Sequence, residues 1–185
     1  MRHLLAVFLL SSTAAMASPD GLRVEGDWIK GRVLTRADLE RLGTKMFEWV
    51  DTSNAGRTPE ACAAPAQPTE KGCVHVVKGV RLERVLIQLG FSEGPGGAQV
   101  QAKDKHRGLR SAVLASAADG FEAVFSMGEI LDTLGATTAL VVWEMDGRPL
   151  PSNVGPLRIL VTSDAVGSRS LRQLTTLRVI DLAKK

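Results

Sequence analysis

Two short segments of this sequence hold side chains whose types and spacing could do chemistry. Gly167-Ser168-Arg169-Ser170-Leu171-Arg172 brings two guanidinium groups and hydroxyls beside a glycine-bearing loop. Arginine forks match phosphate and carboxylate geometry, and loop N–H groups add donors. Arg169 and Arg172, with Ser170 as a helper, are therefore candidate anion ligands. The alternative is that both arginines flank a strand at the surface, paired with Asp164 or Asp181. The second segment holds the chain's two cysteines, Cys62 and Cys73, around the polar, proline-containing stretch AAPAQPTEKG. In an oxidising compartment the two would pair, contributing roughly 3 kcal/mol in the chain-entropy picture. In the competing reading one of them is a metal-ligating thiolate.

The remaining candidates are weaker. His75 shares a strand face with Cys73, but a zinc or copper site needs a third and fourth ligand that the spacing does not supply. His106 has no ligand spacing with either, so no metal site is expected. No Gly-x-Ser-x-Gly elbow or Ser/His/Asp set is visible, and Glu48, Asp51, Asp119 and Glu129 read as scattered, solvated carboxylates. Lys103 to Arg110 (KDKHRGLR) is the densest basic run. It lacks interleaved aromatics, which argues against nucleic acid, and it reads as a solvated loop. Arg158 alternates with buried strand residues and reads as structural. Trp28, Trp49 and Trp143 lie among apolar strand residues and read as core.

The elements that must position these groups begin after a leader. Arg2 and His3 form a positive start, Leu4–Leu10 an apolar run, and Ala15-Met16-Ala17 a small-residue cleavage pattern. Residues 1–17 thus read as a signal peptide cleaved near Ala17, and the protein as periplasmic or secreted. The run is shorter than the roughly 20 residues a membrane span needs, and no later segment is longer, so no span is expected. The remaining 168 residues carry 22 Lys+Arg against 20 Asp+Glu, a balance that makes no case for a polyanionic partner.

Residues 18–185 read as one domain. Strands are expected at Leu22–Glu25, Trp28–Val33, Lys45–Val50, Val74–Val77 (turning at Gly79), Ser111–Ala118, Phe121–Ser126, Thr138–Glu144, Leu157–Thr162 and Thr175–Leu182. Helices are expected after Thr35, with Asp38 at the capping-box position, over Arg81–Leu89, and after Ser126, with Glu129 three residues on. Residues 51–72 and 91–110 read as excursions. About eight strands and three short helices, interleaved irregularly, predict an α+β fold with a mainly-β sheet core rather than a doubly wound sheet.

The stretch DGRPLPSNVGPLRILVTSDAVGSRSLRQLTTLRVID, Asp146 to Asp181, resembles the end of the sulfite-oxidase-type molybdopterin-binding oxidoreductase domain. That family has a D/N-G-x-P-L-P turn, a G-P-hydrophobic-R strand and a G-x-R/K-S-apolar-K/R loop. KGVRLERVL (Lys78–Leu86) is similar to its W-x-G-x-x-L helix start without the Trp, and ASAADGFEAVFSMGEI (Ala115–Ile130) to its central hairpin. The resemblance implies that Arg169 and Arg172, with Ser170, stand where the family's basic loop holds the pterin phosphate. It also implies a molybdenum ligated by cysteine, with Cys73 as the conditional candidate.

Two features depart from the family pattern. Cys73 lies only six residues before Gly79, in KGCVHV, and a disulfide would occupy its thiolate. The leader lacks the Arg-Arg pair with which folded, cofactor-loaded proteins are exported. The expectation is therefore an exported small protein of this fold without bound molybdenum, using the former pterin cleft for a small anionic ligand or an envelope partner protein. The alternative is a minimal molybdopterin-dependent oxidoreductase with Cys73 on the metal.

Overall fold

A computed structural model describes residues 21–52, 62, 65–92, 106–135, 137–164 and 167–184. The leader read over residues 1–17 lies outside them. The described residues form β1 (Gly21–Gly26), β2 (Arg32–Thr35), α1 (Arg36–Arg41), β3 (Lys45–Asp51), β4 (Gln67–Thr69), β5 (Gly72–Arg81) and α2 (Leu82–Gln88). They continue with α3 (Arg107–Arg110), β6 (Ser111–Ala117), β7 (Glu122–Ser126), α4 (Met127–Ile130), β8 (Ala139–Met145), β9 (Arg148–Pro149), β10 (Arg158–Val161) and β11 (Leu174–Asp181). The expected mainly-β, α+β class is the one observed.

The strands make two sheets, in the orders β2-β1-β11-β6-β7 and β10-β8-β5-β3, with β4 on β5 and β9 on β8. The first is antiparallel except for the parallel pair β1–β11. Alternation places Val24, Val113, Phe125 and Leu177 of the first sheet against Val80, Val141, Trp143 and Ile159 of the second, and α2 adds Leu82, Val85 and Leu86. Each such side chain contributes about 1.5–3 kcal/mol on full burial.

Strand β8 is buried on both faces. Val141 and Trp143 join the main core, while Leu140 and Val142 face outward into a second cluster with Trp49, Val77 and Leu160. In β10, Ile159 and Val161 point inward. Period-two alternation then puts Arg158 on the same outer face as Leu160. This second, smaller apolar floor lies under the candidate site.

Local signals placed the helices well. The Thr35 side chain accepts from the Asp38 N–H, and Asp38 reaches back to the Thr35 N–H at 2.9 Å. Glu129 does the same for the Ser126 N–H at 2.9 Å.

Three expectations need correcting. Gly79 does not turn the chain: β5 runs on to Arg81, and Gly79 sits at a register shift against β8. A Cβ there would overlap the Val141 carbonyl oxygen, so the close approach of the strands requires glycine. Trp28 is not in a strand. It sits in a turn at φ 67° before β2 begins at Arg32, with the Arg107 and Arg110 guanidiniums 4.2 and 5.3 Å from its ring. The basic run is therefore not simply solvated loop. Arg107–Arg110 is a helical turn held on Trp28, and Arg110 also pairs with Asp181 at 3.1 Å.

Candidate functional site

The segment after β10 runs back along that strand's free edge. The Ile159 N–H donates to the Leu171 carbonyl at 2.9 Å, the Val161 N–H to the Ser170 hydroxyl at 3.4 Å, and the Leu174 N–H to the Leu157 carbonyl at 2.8 Å. Gly167–Arg169 form a single 3-10 turn, and the residues after it lie along this edge. Leu171 is buried in the main core and Arg169 turns toward Phe125, at 5.3 Å from its ring. Ser168, Ser170 and Arg172 face the other way, into a cleft of about 410 Å³ that they share with Gly167, Arg158, Trp49, Asp51 and Thr52.

Strand β3 supplies the opposite wall. Phe47, Trp49 and Asp51 take alternate positions and so share a face. Asp51 pairs with Cys73 in the β3–β5 ladder. Next to it, Gly72 lies at φ 133° so close to the Asp51 backbone that a Cβ would strike its carbonyl oxygen. β3 and β10 are opposite edges of their sheet, yet the Arg158 guanidinium lies 5.0 Å from the Trp49 ring centre. The other stacking partner of Trp49 is the His75 ring, 5.7 Å away and inclined by 28°. His75 Nδ1 is 2.6 Å from a carboxylate oxygen of Asp146, whose second oxygen accepts the Val76 N–H at 2.9 Å. Trp49 is thus fixed by an anchored imidazole and in turn supports Arg158.

The two arginines nearest this loop have opposite electrostatics. Arg169 donates through Nε and Nη2 to Asp164 at 3.0 and 2.7 Å, and through Nη1 to Glu129 at 2.9 Å. Those hydrogen bonds, Asp164's first, hold its pKa above the ordinary arginine value. Arg158 is only 7% exposed, and among the described residues its Nε–H has no partner. Burial, and then the like charge of Arg172, push its pKa down from the ordinary arginine value to about 10, while Asp51 partly offsets them. A buried cation without a full set of acceptors is costly, and here it lines an open cleft.

The structure therefore gathers Ser170 and Arg172 of the sequence candidates into one cleft and leaves Arg169 out, in the ion pair with Asp164 that was its alternative reading. It adds Arg158, Ser168, Asp51 and Trp49. Alternation of Ser170 and Arg172 about the buried Leu171 was the available signal for those two, whereas Ser168, in the 3-10 turn, carried none. Arg158 on an otherwise apolar strand was the signal for itself.

Cys62 and Cys73 form a disulfide with their Cα atoms 5.5 Å apart, and no cysteine is free. As bonded, neither thiol can ligate a metal. Among the described residues no group of three or more His, Cys, Asp or Glu side chains could hold a metal ion. Among the same residues, no helix is long and apolar enough to cross a membrane.

The family model of the oxidoreductase molybdopterin binding domain matches residues 17–185. The fold is similar to the crystal structure of the sulfane dehydrogenase SoxCD from Paracoccus pantotrophus, with a TM-score of 0.58 at 18% identity. That similarity covers 88% of this chain and 38% of the SoxCD chain. No curated protein sequence matches this one.

Proposed function

Since the chain belongs to the oxidoreductase molybdopterin binding domain family, we propose that it uses that fold as an anion-binding module, holding a small anionic ligand, or an acidic group of an envelope partner protein, in the cleft of Arg158, Arg172, Ser168 and Ser170. One observation carries this reading: a buried guanidinium with an unpartnered Nε–H lines an open cleft beside a second cation. An anion entering there supplies the acceptors that Arg158 lacks and screens it from Arg172. Charge-assisted bonds of this kind are the stronger class of hydrogen bond.

The family's cofactor fits one end of this site and not the other. The arginines and hydroxyls suit a phosphate. The metal end needs a thiolate, and both thiols are bound to each other. No redox step is derived from this site. The reading includes export, supported by the leader pattern and by a disulfide suited to an oxidising compartment.

The test is twofold. Native protein, purified without refolding, is assayed for molybdenum and pterin, and its affinity for inorganic phosphate is measured by calorimetry for the wild type and Arg158→Met. Phosphate binding that depends on Arg158, in protein free of metal, is the expected result. Near-stoichiometric molybdenum and pterin would instead establish the oxidoreductase alternative, with Cys73 reduced.

A further inference from the structure

The cleft holds one group that an indiscriminate anion site would lack. Asp51 lines it opposite the two arginines, on the strand face shared with Trp49, near enough for its charge to act on Arg158. A carboxylate in a site for anions repels a ligand that offers only acceptor oxygens. It accepts a hydrogen bond from a ligand that carries a proton. Asp51 already interacts within the fold, and a carboxylate, with about four acceptor positions, can accept more than one bond at once.

The donors opposite Asp51 narrow the choice further. Two guanidiniums and the hydroxyls of Ser168 and Ser170 offer more donors than the two oxygens of a carboxylic ligand can use well. They suit a tetrahedral oxyanion with three or four oxygens. Among common tetrahedral oxyanions, sulfate is fully ionised at neutral pH, whereas free phosphate always keeps at least one proton there and a monoester keeps one in part, its second ionisation lying near pH 6.

Resting on the anion reading above, we infer that Asp51 makes this cleft selective for a proton-bearing phosphate group, free or as a monoester, over sulfate. The arginines and serines hold the ionised oxygens, and the remaining P–O–H donates to Asp51. The bound species is one that still carries a P–O–H: the monoanion of an ester, or either the mono- or the dianion of free phosphate. Affinity for an ester therefore falls as pH rises through its second ionisation, the opposite of a purely cationic site, which prefers the dianion, whereas free phosphate keeps a donor proton throughout. Among the described residues, Arg158 and Arg172 share the cleft with Asp51, and His75 stacks on Trp49 beside it. Arg158, with its pKa at about 10, keeps its charge through that pH range, and sulfate, with no ionisation there, is the control for any other titrating group.

The experiment is calorimetric titration of the full chain with inorganic phosphate, glycerol phosphate and sulfate between pH 5.5 and 8.5 (a range on the order of the phosphate ionisation itself), for the wild type and Asp51→Asn. The expected result is at least tenfold tighter phosphate than sulfate in the wild type, with glycerol phosphate weakening as pH rises through its second ionisation and the preference lost in Asp51→Asn. Whether inorganic phosphate or glycerol phosphate binds more tightly identifies the free ion or the ester as the source. Arg158-dependent binding of phosphate and sulfate with equal affinity overturns the selectivity and leaves the anion reading standing. If none of the three binds to the wild type, the anion reading itself fails. Because the wild-type glycerol phosphate series has its own predicted direction, a poorly folded Asp51→Asn still leaves a decisive measurement.

Discussion

Arg169 and Arg158 lie on opposite sides of one short segment and solve the problem of a partly desolvated cation in opposite ways. Arg169 is enclosed by two carboxylates, one of which, Glu129, also caps the helix after Ser126. It ties the loop, the α4 start and Asp164 together. Arg158 is more deeply buried, leans on an indole, faces another arginine and has an orphaned Nε–H. The difference separates a structural arginine from one poised for a ligand. The first has its acceptors within the chain, and the second needs them from outside.

That contrast can be broken by exchanging each guanidinium for a methionine of similar length. Arg158→Met should lower oxyanion affinity by about ten- to a hundredfold, the scale of one or two charge-assisted hydrogen bonds. It should leave the thermal midpoint unchanged or raised. A cation held near 10 by burial costs the fold about 3 kcal/mol, and methionine removes that cost. A midpoint several degrees lower would mean that Arg158 is a structural residue after all.

Arg169→Met should do the reverse. Leaving Asp164 and Glu129 without their cation, it should lose about 1–2 kcal/mol of stability in denaturant unfolding, with anion affinity unchanged. A large loss of affinity would return Arg169 to the site. Arg172→Ala removes an exposed guanidinium at the mouth of the cleft and should weaken binding by about three- to tenfold, with stability altered by no more than about 0.5 kcal/mol.

The smallest effect is one of pH. Arg158's pKa in the folded chain, about 10, lies below the ordinary arginine value. Between the two values the unfolded chain binds more protons, so Arg158's contribution to stability rises with pH across that window. Anion affinity moves the other way as the guanidinium loses its proton. For sulfate, which has no ionisation of its own there, it should drop about twofold by pH 10. A titration of sulfate affinity alongside unfolding curves checks both signs.

Much of the frame was legible because it is written in local rules. The capping pairs Thr35/Asp38 and Ser126/Glu129 need only residues three apart, and both helices begin where that spacing puts them. The turn through Asp119 and Gly120 that joins β6 to its antiparallel partner β7, and the apolar β8 run, are set by turn chemistry and by β-branched residues in sequence. Gly79 was misread because a glycine's meaning depends on its neighbour. Nothing in KGVRL says whether it turns the chain or lets β8 approach. Trp28 was assigned to a strand because its apolar ring says nothing of the two arginines, some eighty residues on, that hold it in a turn.

The candidate site divides along the same line. By itself the sequence determined the fold class and the family likeness. It also marked Cys62 and Cys73 as a possible pair and supplied a loop rich in arginine and serine, because those features depend on composition, spacing and short motifs. Only the tertiary structure decided which arginine the cleft receives. That choice turns on the free edge of β10, along which the loop is laid, and on the curl of a sheet that brings Trp49 and Asp51 from its far edge to Arg158. Whether a cation is satisfied or waiting depends on the acceptors within about 3 Å of it, and those come from residues distant in sequence.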